Sequence, residues 1–326
     1  MVPLRACAKT LSILAAALGF AIVASLLPEN PYQRWQLLHG TIHAGARWTY
    51  ERSSFDPTPI DVVFLGPSRT RFGVDAPRLA SALEARGLPH NVVNFSFLEE
   101  GRNINFATAR MMFEHKRPKL VILGVIEKPH RFGHEAFKYL ADRSSIVDCG
   151  FVGNFDYLPN LLYLPFRQMR LFAADLLPGG LGLRRTFDAA DYWGTSIDTV
   201  LGATAPAPRE LTRAATAFKS NLHPPILPSR FADLEFGDER FYVAQIAALA
   251  RRHGARVAFL FIPYYTGPTT IQELQFYRRY GPVMSAAFLA SHAEWFADWA
   301  HLNRGGAHAL SDWLVEPVAA LLKTAK

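Results

Sequence analysis

Asp61-Val-Val-Phe-Leu-Gly-Pro-Ser68 is a short apolar run halted by a Gly-Pro pair, and the fold follows from how it is read. Apolar residues without alternation, bounded by turn formers, read as a strand covered on both faces. Such strands belong to parallel sheets with helices on either side. Working outward, Ala76–Arg86 has helical spacing and stops at Gly87 and Pro89. Asn91–Phe97 reads as a second strand, Ile104–His115 as a helix, and Lys119–Ile126 (KLVILGVI) as a third strand. The rhythm breaks from about His130 to Phe236, where aromatics, Pro and Gly dominate. It resumes with a helix over Asp238–His253, a strand over Ala255–Ile262, and a helix from about Ile271 to Ser291. A short strand near Glu294–Ala297 and a last helix over Gly305–Lys323 close the pattern. The expectation is an α/β fold: a flavodoxin-like five-stranded parallel sheet with helices on both faces. A large, mostly helical or irregular insertion occupies about 130–236, and there is no internal repeat.

Arg5 and Lys9 precede an apolar stretch from Leu11 to Leu27. Basic residues ahead of an apolar segment favour a cytoplasmic N-terminus. The reading is a single-pass membrane anchor over 1–30, with a domain over 31–326 on the extracytoplasmic side of the cytoplasmic membrane. A cleaved signal peptide and a buried core helix are the alternatives. Trp35 and Trp48 then either sit at the membrane interface or pack on the domain.

Half of the residues are hydrophobic and 19% are charged, a globular balance rather than a disordered one. The formal net charge is +7, but Lys and Arg are scattered, as in Arg69, Arg71, Arg184, Arg185, Arg251 and Arg252. No basic run interleaves with aromatics, so nucleic acid is not expected as a partner; a surface near anionic lipid fits better. Cys7 and Cys149 fall on either side of the apolar stretch, so no disulfide between them is expected. No Cys/His spacing suggests zinc, and no cofactor or metal is expected.

In open α/β sheets, ligands bind beyond the carboxyl ends of the strands. Three features fall there. Gly66-Pro67-Ser68 ends the first strand, where a serine hydroxyl can project and backbone N–H groups can face an oxyanion. Its plainer reading is a turn that caps a helix. Asp298-Trp-Ala-His301-Leu-Asn303 places a carboxylate and an imidazole three residues apart, as needed for a base held in one tautomer. Its plainer reading is a helix cap beside a surface histidine. Glu99-Glu100-Gly101-Arg102-Asn103 offers a glycine that lets backbone approach a substrate, or merely starts a helix.

Together these features resemble the block arrangement of the SGNH (GDSL-like) hydrolase superfamily. The likeness covers about 60–128 and 237–324. Phe64-Leu-Gly-Pro-Ser68-Arg-Thr70 and Asp298–Asn303 look most like its membrane-anchored branch, which includes alginate O-acetylation factors and the teichoic-acid alanylation protein D. The resemblance implies that Ser68 is the nucleophile, His301 the base and Asp298 its orienter. It implies an oxyanion hole from the N–H groups of Ser68 and Gly101. The family's third block usually adds an Asn after the third strand; here Gly124-Val-Ile-Glu127-Lys-Pro129 offers Glu127, which cannot donate when ionised. Either Asn103 substitutes, or the hole has backbone donors only, or the acyl chemistry is reduced.

The resemblance also implies a function: an exported acyltransferase that moves an acyl group, acetyl first, onto a polysaccharide or glycolipid hydroxyl. A multi-spanning membrane O-acyltransferase would be the partner that supplies the acyl group. With water as acceptor the same triad makes a carbohydrate or lipid esterase. A non-catalytic assembly factor for polysaccharide modification is the reading that Glu127 supports. Other residues read more plainly. Glu99 and Glu100 are solvated or at the site rim, and His130, His134 and His308 sit at the surface or at helix ends. The aromatic stretch Phe151–Phe172 either covers the sheet or faces a membrane or partner, with Arg167 and Arg170 interleaved.

Overall fold

The computed structural model describes residues 4–126, 132–148, 155–177, 179–220 and 225–323. Five parallel strands form one sheet: β1 (Val62–Leu65), β2 (Val92–Asn94), β3 (Leu120–Gly124), β4 (Arg256–Phe261) and β5 (Val283–Ser285). Their order is β2-β1-β3-β4-β5. β1 pairs with β2 through Val62 and Val92 and with β3 through Val62 and Leu120. The chain leaves β1 toward one edge and returns past it to β3. The crevice at the carboxyl ends of β1 and β3 is therefore the switch point where such sheets hold ligands.

Side-chain alternation explains why these strands need cover on both faces. Val62 and Phe64, with Leu120, Ile122, Ala258 and Leu260, join one apolar cluster. That cluster is closed by α5 (Ala76–Glu84) through Leu79 and Leu83, and by α14 (Arg304–Lys323) through Leu310, Leu314 and Val318. Val63 and Leu65, with Val121, Leu123 and Phe259, face the other way. There α6 (Arg102–His115) and α12 (Gly237–Arg252) cover them with Met112, Phe113, Val243 and Ile246. α3 (Ala46–Ser54) adds Trp48 to the same face. Trp35 and Trp48 are buried, at 1% and 2% exposure, so both pack on the domain.

The last strand differs from its expected place. β5 is Val283–Ser285, inside the stretch read as a helix from Ile271 to Ser291; that stretch holds only a short helix, α13 (Leu274–Arg278), before the strand. Gly281-Pro282 is the physical reason. A Cβ on Gly281 would stand 2.9 Å from the Val257 carbonyl carbon, so this position presses against β4 and the helix cannot continue. Ala293–Trp295, where the strand was expected, is a 3-10 turn, followed by a single antiparallel bridge from Phe296 to Leu302.

α1 (Leu4–Ser25) is long and apolar enough to cross a membrane and is largely exposed. α2 (Pro31–Arg34) follows α1, and the short helices α7 (Phe137–Leu140) and α8 (Arg143–Val147) precede α9 (Tyr157–Leu176). α10 (Pro208–Ser220) and α11 (Ala232–Glu235) complete the helical insertion. Cys149, Glu127 and His130 lie outside the described residues.

Candidate active site

Ser68 opens α4 (Ser68–Gly73), three residues beyond the end of β1. The Pro67 carbonyl accepts from Thr70 and Arg71 N–H at 2.9 and 3.0 Å, which starts the helix without a side-chain cap. Gly66 is required by close approach, not by a left-handed backbone. A Cβ there would lie 2.8 Å from Thr70 Cβ and 3.2 Å from Gly124 Cα. Gly124, at the end of β3, is crowded by the same threonine. Thus α4 sits directly on the carboxyl ends of β1 and β3. Asn94, at the end of β2, holds the other end of α4: its Nδ2 donates to the carbonyls of Thr70, Arg71 and Val74 at 3.0–3.2 Å.

Ser68 Oγ is 2.8 Å from His301 Nε2, and His301 Nδ1 is 2.8 Å from Asp298 Oδ2. An ionised carboxylate only accepts, so Nδ1 carries the proton and Nε2 presents its lone pair to the serine hydroxyl. That is the tautomer of a general base. Asp298 Oδ1 accepts from the N–H groups of Ala300 and His301 at 2.7 and 2.9 Å, which fixes the carboxylate on the turn. Burial alone would raise its pKa. The bonds from the His301 ring and from the two N–H groups outweigh that and hold it below the usual carboxylate range. Phe72 meets the imidazole edge-on, with ring centroids 5.3 Å apart. Asn303 anchors the turn: Nδ2 donates to Glu294 O at 2.8 Å, and Oδ1 accepts from Gly306 N–H at 3.0 Å at the start of α14.

The insertion reaches this turn. Phe218 of α10 stacks on Trp299 at 3.9 Å, between Asp298 and His301 in sequence. Arg304 bonds Asp198 through Nη2 at 2.9 Å and Gly202 O through its N–H at 3.1 Å. Neither contact is legible in a strand–helix pattern.

The loop after β2 is held differently from expectation. Gly101 has φ +144°, and a Cβ would fall 2.5 Å from His134 Cβ; the glycine is there because His134 packs on it. Asn103, two positions beyond Gly101, is turned into the loop. It is fully buried, with Oδ1 accepting from the N–H groups of Ile104 and His134 at 2.8 and 2.7 Å. Its Nδ2 has no hydrogen-bond partner among the described residues and stands where Gly133 leaves room for it. His134 is not a surface residue but 2% exposed. His43, Glu99 and His134 place their possible metal-ligating atoms within 4.8 Å of one another. The His134 nitrogens are committed to the loop: Nε2–H donates to Leu98 O at 2.5 Å and Nδ1 accepts from Ala136 N–H at 3.0 Å. With its own N–H donating to Asn103, His134 alone of the three fastens residues 98 and 103 by bonds seen among the described residues. Glu99 is exposed and adopts a left-handed φ of +64° at the bend. His308 pairs with Asp75 at 3.3 Å, at the start of α5.

Beneath this loop lies a buried ionic network that the sequence reading missed. Arg102 donates through Nε and Nη2 to the two carboxylate oxygens of Glu239, each at 2.8 Å, and through Nη2 to Gly124 O at 2.5 Å. Its backbone N–H donates to Asp238 Oδ2 at 2.5 Å. Tyr277 OH lies 2.9 Å from Glu239 Oε1 and 3.1 Å from Ile126 O. The network ties the start of α6 and of α12 to the end of β3. Burial pushes the Asp238 carboxyl up to about 7, against the Arg102 N–H bond and aided by the charge of Glu239.

That shift has a sign. The unfolded carboxyl ionises near 3.8, whereas the folded one keeps its proton to about 7. Stability from this group is full below the lower value and is lost as pH rises through the upper one. Asp238→Asn is therefore expected to match the parent below about pH 4, to exceed it by a margin that grows as pH rises, and to hold that margin steady above about pH 7. Thermal unfolding of both proteins across that range checks it. A gap that does not change with pH contradicts it.

No protein-family model matches the chain, and no curated protein does.

Proposed function

We propose that this protein is a membrane-anchored acyl-transfer enzyme of the SGNH class, working through an acyl-Ser68 intermediate. The observation that carries the reading is the unbroken chain from Ser68 Oγ to His301 to Asp298 at the switch point of the sheet. His301 Nε2 takes the hydroxyl proton as Ser68 attacks an acyl donor, and returns it to the leaving group. The N–H of Ser68, at the first position of α4, and that of Gly101 are the oxyanion donors in this reading. The second half-reaction runs in reverse, with His301 deprotonating an acceptor hydroxyl.

We assign the acceptor as a polysaccharide or glycolipid on the outer side of the cytoplasmic membrane. The support is α1, together with Arg5 and Lys9 before it. Activated thioesters are cytoplasmic, so an exported domain needs its acyl group delivered through the membrane. A multi-spanning O-acyltransferase is the partner of matching chemistry. Phe218 and Trp299 stack beside the triad, whose His301 and Asp298 side chains remain 24% and 48% exposed, so the site is open to an acceptor as large as a sugar.

The test uses p-nitrophenyl acetate as donor, with oligomannuronate or chitooligosaccharide as acceptor. Acetylated oligosaccharide is expected to form in preference to free acetate as acceptor is raised. Release of acetate alone, unaffected by any acceptor, makes the protein an esterase.

A further inference from the structure

We propose that α9 is a second membrane contact, seated among lipid acyl chains and headgroups beside α1. One face of α9 is spoken for: Leu164, Leu171 and Ala174 are buried on the domain. The opposite face carries Leu158, Leu162 and Phe166 at four-residue spacing, exposed by 53%, 62% and 64%. Residues four apart stack on one side of a helix, so these form a continuous apolar stripe. Leu177, eleven positions beyond Phe166 and just past the end of the helix, is 64% exposed as well. Arg170 continues the stripe at the same spacing and is exposed, as suits a side chain that reaches a phosphate headgroup from an apolar bed.

The occupant is fixed by continuity with α1, which packs against α9 and whose own apolar side chains are exposed to a similar degree, as at Leu18 and Phe20. The end of α1 is tied to the middle of α9. Leu27 O accepts from Gln168 Nε2 at 3.1 Å and from Arg143 Nη2 at 3.0 Å, and Arg167 lies 3.6 Å from Glu29. A helix held this way against a membrane-crossing segment cannot keep its outer stripe far from the same lipid. Two attachments instead of one remove rotation of the domain about its anchor and set the height of the site above the membrane. The inference rests on the reading of α1 as a bilayer anchor.

The experiment uses the full-length protein, with Cys7 and Cys149 replaced by Ser, in vesicles of phosphatidylethanolamine and phosphatidylglycerol. Single cysteines replace Leu162, Phe166, Leu18 on α1, and the exposed Arg209 on α10. Each carries a bimane label, and vesicles with nitroxide on the acyl chains act as quencher. Quenching at positions 162 and 166 several-fold above position 209, and near that at 18, is the expected result. Quenching at 18 with 162 and 166 no different from 209 overturns the second contact and leaves the anchor intact. Labels at 162 and 166 that escape both lipid nitroxide and aqueous iodide overturn it too, because a protein then covers the stripe. Absence of quenching at all four positions removes the anchor reading together with this one. Quenching at 162 and 166 but not at 18 overturns the proposal as well, because the continuity with α1 that makes lipid the occupant is then lost.

Discussion

Replacing Ser68 by Ala is expected to lower turnover of p-nitrophenyl acetate by roughly 10⁴–10⁶-fold with the fold unchanged. The hydroxyl is half-buried and its one hydrogen bond of note runs to His301, so its removal opens no cavity in either apolar cluster. His301→Ala should cost about as much, and the double variant little more than either, because nucleophile and base act as one unit. Asp298→Asn should fall by about 10⁴-fold. The amide can still accept from the Ala300 and His301 N–H groups, but it no longer fixes Nδ1 as the protonated nitrogen. Initial rates on matched, folded samples check the series. Residual activity in Ser68→Ala near that of the parent would leave the site without its nucleophile.

The second large effect lies in stability. Arg102→Ala should destabilise the domain by about 3–5 kcal/mol, the range for removing one partner of a buried ion pair. Its guanidinium is fully buried and carries bonds to Glu239, Asn105 and Gly124; without it Glu239 and Asp238 remain as neighbouring buried acids. The melting temperature is expected to drop by on the order of 10 °C. Arg102→Met combined with Glu239→Leu should recover much of the loss, because the remaining charge has then been removed with its partner. Failure of the double variant to recover any stability would mean that the bond to Gly124 O, and not the charge pair, holds the loop. Because Arg102 follows Gly101 directly, both variants also report on the loop that carries the proposed second oxyanion donor.

Much of this architecture was legible because it is written in local pattern. Val62–Leu65 and Leu120–Gly124 are apolar throughout, and no half-exposed strand can be so. Asp298 and His301 lie on one turn, so their meeting needs no knowledge of the rest of the chain. The approach of Ser68 follows once the sheet order brings the two loops to one edge. What was hidden depends on distant partners. Arg102 meets Glu239 across 137 positions, and in sequence each is one more charge at a helix start. His134 bonds Leu98 O and the Asn103 side chain, neither of which marks it as buried. β5 was misplaced because three residues of strand give too little periodicity to outweigh the helical spacing around them, although Gly281-Pro282 was there to be read. Phe218 on Trp299 comes from the insertion, where no regular spacing anchors a reading.

Whether Ser68 is an activated nucleophile is tested most directly by treating the full-length protein with a fluorophosphonate and mapping the adduct by peptide mass spectrometry. A single adduct on Ser68 is expected, formed rapidly in the parent and suppressed in His301→Ala, since the imidazole 2.8 Å away is the proposed acceptor of the hydroxyl proton. A folded protein that takes no label at Ser68, or that is labelled equally well without His301, contradicts the triad. The non-catalytic assembly role would then take its place.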